Sequence, residues 1–195
     1  MRASSAPSSR VLAFQLHAGS SGQCVLDGFG LAPGGWKTSR IATRTSTELV
    51  RFVRHAVDRF HPSAIVLGIS RREERSDATL RRRALSALRS LGVPVVVRHM
   101  REAYTLFRDR IRGRRREELV HTIIVNFLPE CARGLTPKRI HDRRSAWQAL
   151  ALALVELVHR FPRSAAALAQ SCAFAMRPFH AALLKAEAAR HPDSV

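Results

Sequence analysis

The residues of this sequence best suited to chemistry are arginines gathered in one short stretch, RHMREAYTLFRDRIRGRRR, over 98–116. A guanidinium group presents a planar fork of donors that matches two oxygens of a phosphate. Because few acids accompany them, these arginines predict a phosphate-binding surface; the alternative is an ordinary solvated helix face. The predicted nucleic-acid-binding set is Arg98, Arg101, Arg108, Arg110, Arg112, Arg114, Arg115 and Arg116, with Arg71 and Arg72 upstream.

The charge of the whole chain agrees with this prediction. The 195 residues include 33 Lys and Arg but only 15 Asp and Glu, which gives a formal net charge of +18 and a pI near 11.7. A biased base composition explains why Arg is used instead of Lys, but it does not explain why the acids fail to balance the bases. A polyanionic partner is therefore expected, and nucleic acid is the leading class.

Other chemistries find little support in the sequence. Cys24, Cys131 and Cys172 are isolated, without the CxxC spacing of a zinc site or redox pair, so we expect core thiols in a reducing cytoplasm. No phosphate-binding glycine loop or nucleophile elbow is present. No uncharged apolar run approaches the roughly 20 residues that span a bilayer. We expect a soluble cytoplasmic protein, with association to the nucleoid as an option.

The first half of the chain predicts a sheet. Two apolar runs in 11–31 flank a turn rich in Gly and Ser, which predicts a hairpin. Two later segments with helical apolar spacing are each followed by a short apolar run typical of a buried parallel strand. In order, the predicted elements are the hairpin, a weaker strand at 36–44, a helix at 46–60, a strand at 64–69, a helix at 76–91 and a strand at 93–97. This order predicts a mixed sheet with helices on its faces.

The second half predicts helices. The arginine-rich segment 98–116 predicts a helix broken at Gly113, and 117–128 predicts another. The segment 147–158, WQALALALVELV, is apolar nearly all round and predicts a buried helix. We divide the chain into a disordered leader at 1–10, one domain at 11–161 and a helical extension at 162–195.

Five segments, in this order and spacing, carry a resemblance to a known family. They are VLAFQ at 11–15, AIVLGI at 64–69, GVPVV at 92–96, RGRR at 112–115 and SAWQALALAL at 145–154. Together they resemble the RNase H-like fold, and more narrowly RuvC-type Holliday junction resolvases and their YqgF-type relatives. The resemblance implies a mixed five-stranded sheet with helices on both faces, and a homodimer. It also implies phosphodiester hydrolysis by two Mg²⁺ ions that three or four carboxylates hold.

The carboxylates that the resemblance implies are missing from their positions. Gln15 stands where the first strand would carry Asp, Gly68 where the fourth would carry Glu, and Ser145 and Gln148 where the closing helix would carry two Asp residues. Where a YqgF-type protein would carry an Asp-Glu pair, this sequence has His99 and Met100. A Gln can offer a metal one carbonyl oxygen but no charge to offset the loss of water from Mg²⁺. The combined replacements predict a pseudonuclease that binds no metal.

Displaced acids are the alternative to that prediction. Asp27, Glu73, Glu74 and Asp142 could point toward the same end of the sheet and rebuild the site. We favour ordinary solvated carboxylates that pair with arginines, because nothing in the sequence fixes their convergence. His17 and His99 could face the vacated site as a base or metal ligands, although lone histidines of this kind are more often hydrogen-bonded bystanders.

The sequence leaves three candidate functions. The first is a catalytically inactive RuvC-like protein that binds duplex or branched DNA or structured RNA through its arginines, without a cofactor, alone or within a larger complex. The second is an active Mg²⁺-dependent endonuclease that uses the relocated carboxylates. The third is a protein-interaction module in which the helix at 147–158 and the alanine-rich tail contact a partner.

Overall fold

A mixed sheet with helices on both faces forms the core of the computed structural model, which describes residues 9–17, 20–39, 46–69, 78–106, 119–120, 122–123, 127–128 and 144–167. The strands are β1 (Arg10–His17), β2 (Ser20–Asp27), β3 (Gly30–Leu31), β4 (Lys37–Ser39), β5 (Ala64–Ile69) and β6 (Val95–His99). The helices are α1 (Ser46–Phe60), α2 (Ala78–Arg89), α3 (Met100–Leu106) and α4 (Arg144–Arg160).

The order of the strands places β1 at the centre of the sheet. β1 pairs antiparallel with β2 and parallel with β5, and β5 pairs parallel with β6. β3 and β4 both pair with the far edge of β2, near its two ends. They share one strand position, so the six strands fill five positions. This confirms the predicted mixed five-stranded sheet.

One face of the sheet is covered by α1 and α2. Leu12 and Phe14 of β1, with Ile65 and Leu67 of β5, form a buried cluster with α1 and with Leu88 of α2. The α1 residues in it are Leu49, Val53, Ala56 and Phe60, whose spacing of three or four residues brings them to one side of the helix. The apolar stripe predicted for this helix is therefore confirmed.

The other face is covered by α4. Val11, Ala13, Cys24 and Val66 alternate with the residues of the first cluster and pack against this helix instead. α4 is buried from Ser145 through Leu157 except at Gln148, which is half-buried, as its nearly continuous apolar sequence predicts. Trp147 meets Trp36 edge to face at 4.5 Å between ring centroids, and the described residues of 119–128 also join this core.

The structure describes one of the three cysteines and a short segment beyond α4. Cys24 is buried in the core, as predicted, whereas Cys131 and Cys172 lie outside the described residues. Ala165, in the helical residues 162–167, is buried in the α4 core. Within the described ranges, no helix is long and apolar enough to cross a membrane.

The helix predicted from Arg98 begins later than expected. Parallel pairing of β5 with β6 continues through Gly68 opposite Arg98 and Ile69 opposite His99, so both residues belong to a strand. The helix then starts at Met100. Glu102 accepts a hydrogen bond at 2.7 Å from the backbone N–H of His99, which satisfies one of the free donors at the start of a helix. The alternation of apolar residues and arginines in the sequence did not indicate that the strand ends at His99 and the helix begins at Met100.

Candidate functional site

Two of the positions at which the resemblance predicts a carboxylate, Gln15 and Gly68, lie side by side in one row across the sheet. Gln15 of β1 lies opposite Gly22 of β2 and opposite Gly68 of β5, and Gly68 lies opposite Arg98 of β6. Side chains alternate between the faces of a strand, and Ala13, two residues before Gln15, packs on the α4 side. The row therefore lies under α4.

The first part of α4 rests directly on this row. A Cβ atom on Gly22 would overlap the carbonyl group of Ser145 and the backbone nitrogen of Ala146. A Cβ atom on Gly68 would overlap Oε1 of Gln15 and Cδ1 of Leu152. Glycine at both positions lets the helix approach the sheet this closely. The structure thus brings Gln15, Gly68 and Ser145 together and leaves no space between sheet and helix.

The burial of these residues agrees with close packing. Gln15 is fully buried, and Ser145 is 3% exposed. Gln148 is half-buried one turn further along α4 and borders a cavity of about 10 Å³ beside Tyr104 and Trp147. That volume is at the lower limit for one water molecule, so the cavity is too small for a hydrated divalent cation.

The acids proposed to rebuild the site do not gather at the row. Asp27 ends β2 five residues after Gly22, roughly 17 Å away at the rise of an extended strand. It accepts a hydrogen bond at 2.8 Å from Nε of Arg10 and another from Ser9. Glu73, Glu74 and Asp142 lie outside the described residues. Within the described ranges, no three His, Cys, Asp or Glu side chains are placed to hold a metal ion.

The two histidines of interest end two parallel strands of the sheet, β1 and β6, which are separated by β5. His17 is the last residue of β1, two residues beyond Gln15, and His99 is the last residue of β6. The side chain of His99 is half-buried, and its backbone N–H serves the start of α3. The backbone of His99 therefore stabilises the junction of β6 and α3.

Arg98 takes part in an ion-pair network. Its Nε and Nη2 donate to Oε2 of Glu156 at 3.0 and 2.8 Å, and its Nη1 donates to Glu102 at 2.9 Å. Arg160 donates from Nε to the other oxygen of Glu156 at 2.7 Å. Three of the five donors of Arg98 are thus used within the domain, so most of its hydrogen-bonding capacity is unavailable to phosphate.

The network shifts the pKa values of its members. Burial raises the pKa of Glu156, but the hydrogen bonds and charges of Arg160 and Arg98 outweigh burial and hold that pKa below its ordinary value. Burial also raises the pKa of Glu102, and the backbone N–H of His99 with Arg98 brings it below its ordinary value. Both carboxylates are therefore ionised at neutral pH, and each is neutralised locally.

The remaining arginines of the predicted surface divide into two groups. Arg101, near the start of α3, is exposed. The others lie outside the described residues: Arg71, Arg72, Arg108, Arg110, Arg112, Arg114, Arg115 and Arg116. Their role in binding stays a prediction.

Glu156 was missed at the sequence level, although a signal was present. It is the only carboxylate in the apolar helix WQALALALVELVHR, and it stands four residues before Arg160. A charge inside an apolar helix needs a partner when that helix is buried. The spacing to Arg160 was visible in the sequence, whereas the pairing with Arg98, 58 residues away, required the fold.

Comparison with solved structures identifies the type of fold. No protein-family model and no curated protein sequence matches the chain. Among solved structures, the chain is similar to Thermus thermophilus RuvC in complex with Holliday junction substrate, with 16% identity and a TM-score of 0.57 over 78% of this chain and 95% of that one. A second Thermus thermophilus RuvC structure matches with 15% identity and a TM-score of 0.55, over 78% and 96%.

The fold is RNase H-like, of the RuvC type. This confirms the resemblance inferred from the order and spacing of the five sequence segments. At 15–16% identity, the likeness to RuvC concerns the fold alone. The chemistry of the row under α4 must therefore be argued from the residues that this chain places there.

Proposed function

We propose that this protein is a RuvC-fold nucleic-acid-binding protein that does not cut its substrate. It binds duplex or branched DNA or structured RNA through its arginine-rich surface, and it acts as a homodimer or as a subunit of a larger complex in the cytoplasm, near the nucleoid. The observation that supports this proposal most directly is the close packing of α4 on Gly22 and Gly68. The first part of α4 fills the region where metal-binding carboxylates would stand if the chain followed the RuvC pattern.

The chemistry of the row argues against metal-dependent cleavage. Two-metal hydrolysis needs several carboxylates, because their charge offsets the cost of removing water from Mg²⁺. The row offers the neutral amide of Gln15, two glycines and the hydroxyl of Ser145. Glu102 and Glu156, at the β6 end of the row, already pair with Arg98 and Arg160. No residue of the row can supply the missing negative charge.

The charge of the chain supports nucleic acid as the partner. A net charge of +18 favours a polyanion, and one structure of similar fold holds RuvC with a Holliday junction substrate. A four-way junction is therefore the first substrate to test. Binding that neutralises several phosphates should weaken steeply as salt rises, with a log-log slope of roughly −0.9 for each phosphate contacted on duplex DNA.

The test is one labelled panel of four-way junction, duplex DNA, single-stranded DNA and RNA–DNA hybrid, incubated with Mg²⁺, Mn²⁺ or EDTA. We expect shifted bands and no products under all three conditions. Changing Arg114, Arg115 and Arg116 to Ala should weaken every shift. Metal-dependent products that Asp142→Asn abolishes, with Asp27→Asn as the control, would establish the nuclease with relocated acids instead. Absence of any shift would leave the protein-interaction module.

A further inference from the structure

A second set of exposed arginines lies on the side of the sheet opposite α4. Arg51 and Arg54 of α1 and Arg82 and Arg89 of α2 are exposed. The last two are separated by seven residues, or about 10.5 Å along the helix. Because α1 and α2 pack against each other over one apolar cluster, the four arginines belong to one surface. We call this surface the α1–α2 face.

Across the part of the chain that the structure describes, these four arginines have no acidic partner, a property that they share with Arg101 and Arg163. Arg10, Arg98 and Arg160 each form an ion pair with a carboxylate. Across the described ranges, none of the four arginines of the α1–α2 face forms one. α2 contains no Asp or Glu at all. Charges left unpaired on adjacent helices repel each other and favour an external anion.

The α1–α2 face also has a recess of suitable size. A shallow groove of about 360 Å³ runs along α1 and is lined by Thr47, Val50, Arg51, Arg54, His55 and Asp58. Arg51 and Arg54 lie three residues apart on its wall, so both guanidinium groups can reach one phosphate, and the hydroxyl of Thr47 adds a donor. Asp58, one turn beyond Arg54, is the one acid among the described residues that line the groove.

The exposed side chains indicate which part of a nucleic acid would be bound. Stacking on bases requires exposed aromatic rings, but the aromatic residues of α1, Phe52 and Phe60, pack into the cluster beneath the helix. Apart from the half-buried Val50 and the exposed imidazole of His55, the described residues of the groove offer charge and hydroxyl groups. Such a surface suits the phosphate backbone, without preference for sequence.

We propose that the α1–α2 face binds the phosphate backbone of a nucleic-acid segment, as a second surface separated by the sheet from α4. This inference rests on the proposed nucleic-acid-binding function. Arg101 lies on α3, which packs against α4 on the other side of the sheet, so nucleic acid bound there and nucleic acid bound on the α1–α2 face are two separate segments, such as two arms of a branched molecule or two separate duplexes.

The test measures binding of a fluorescent DNA duplex by anisotropy over a series of salt concentrations. The variants are Arg51→Gln/Arg54→Gln and Arg82→Gln/Arg89→Gln, in which Gln preserves helix propensity. If each arginine contacts one phosphate, each double variant should reduce the log-log salt slope by about 1.8. Asp58→Asn should tighten binding, because it removes a negative charge from the groove. All variants should keep the wild-type melting temperature.

A matched control separates a local effect from a general loss of charge. Arg163 is exposed and lies three residues beyond α4, and Arg163→Gln should leave the salt slope unchanged. If the wild type binds duplex and both double variants match Arg163→Gln, the α1–α2 face is not a binding surface, but the proposed function stands. If the wild type binds no nucleic acid, both proposals fail. If the double variants lose binding only to a labelled polyglutamate probe, the face serves an acidic protein instead.

Discussion

The guanidinium of Arg98 donates two hydrogen bonds to one oxygen of the Glu156 carboxylate, and this contact joins the edge strand β6 to α4. Glu156 is 4% exposed in a helix that is otherwise apolar over this stretch. A buried carboxylate of this kind is stable only when charged partners replace its water. The pair therefore fixes α4 over the row that contains Gly68.

We expect Glu156→Gln to destabilise the fold by about 2 kcal/mol, because it leaves two guanidinium groups without their shared carboxylate. The loss should be smaller than for a fully buried pair, since the side chains of Arg98 and Arg160 are 21% and 31% exposed. Urea unfolding measures it. Arg101→Gln, at an exposed position of α3, should change stability by no more than about 0.5 kcal/mol. Equal stability of Glu156→Gln and the wild type would show that the network contributes nothing.

The same network should make the fold sensitive to acid. The pKa of Glu156 and that of Glu102 are both lower in the folded protein than their ordinary values, so ionisation favours folding. This stability is complete well above the unfolded Glu pKa of about 4.3 and is lost as pH falls through the lower folded pKa values. Urea midpoints measured from neutral pH downward should drop below about pH 4.3.

The double variant Glu102→Gln/Glu156→Gln provides the comparison for that measurement. It should be less stable than the wild type at neutral pH, and the difference should shrink as pH falls, because acid removes the same charges from the wild type. Parallel curves for the two proteins over the whole range would mean that other groups control the acid sensitivity.

The close approach of α4 to β2 gives a further prediction. Gly22→Ala should destabilise the fold by about 3 kcal/mol, since the added methyl group meets backbone atoms of Ser145 and Ala146, which cannot rotate away as a side chain can. Thermal unfolding measures the loss. Gly30→Ala is the matched control in β3, where the new Cβ would lie 3.6 Å from the nearest backbone oxygen, an ordinary contact. Similar melting temperatures for the two variants would show that the contact under α4 relaxes readily.

Much of the fold was predictable because its elements have local signals. The alternation in β1, the stripe of α1 and the apolar sequence of α4 each predicted both the element and its environment. Where two signals conflicted, prediction failed: Arg98 and His99 resemble the start of a basic helix, but their pairing with β5 makes them a strand. That pairing is a tertiary interaction, and no local pattern contains it.

The candidate site was predictable in position but not in its packing. The resemblance placed Gln15, Gly68 and Ser145 at equivalent positions, and the fold brings them together. Gly22 had no assigned role, because its importance depends on Ser145, 123 residues away. Asp27 was a candidate acid from sequence alone, whereas the antiparallel register pairs it with Arg10 at the opposite end of β2.

Restoring the first missing acid offers a direct test of whether this fold retains a metal site. Gln15 is fully buried, so Gln15→Asp introduces a carboxylate without water, and burial should raise its pKa. Each pKa unit of that rise costs about 1.4 kcal/mol of stability at neutral pH. The penalty should vanish as pH falls below the unfolded Asp pKa of about 3.9, which is the opposite sign to the effect of Glu156.

Gln15→Asn isolates the charge in that experiment, since it has the size of Asp but stays neutral. We expect Gln15→Asp to melt below Gln15→Asn at neutral pH and the gap to close in acid. Millimolar Mg²⁺ should leave both melting temperatures unchanged, because Gly22, Gly68 and the first turn of α4 leave no room for a hydrated ion and offer it no further carboxylate. If Mg²⁺ stabilised Gln15→Asp but not Gln15→Asn, one added acid would be enough to form a metal site. The proposal that the packing under α4 excludes a metal ion would then be wrong.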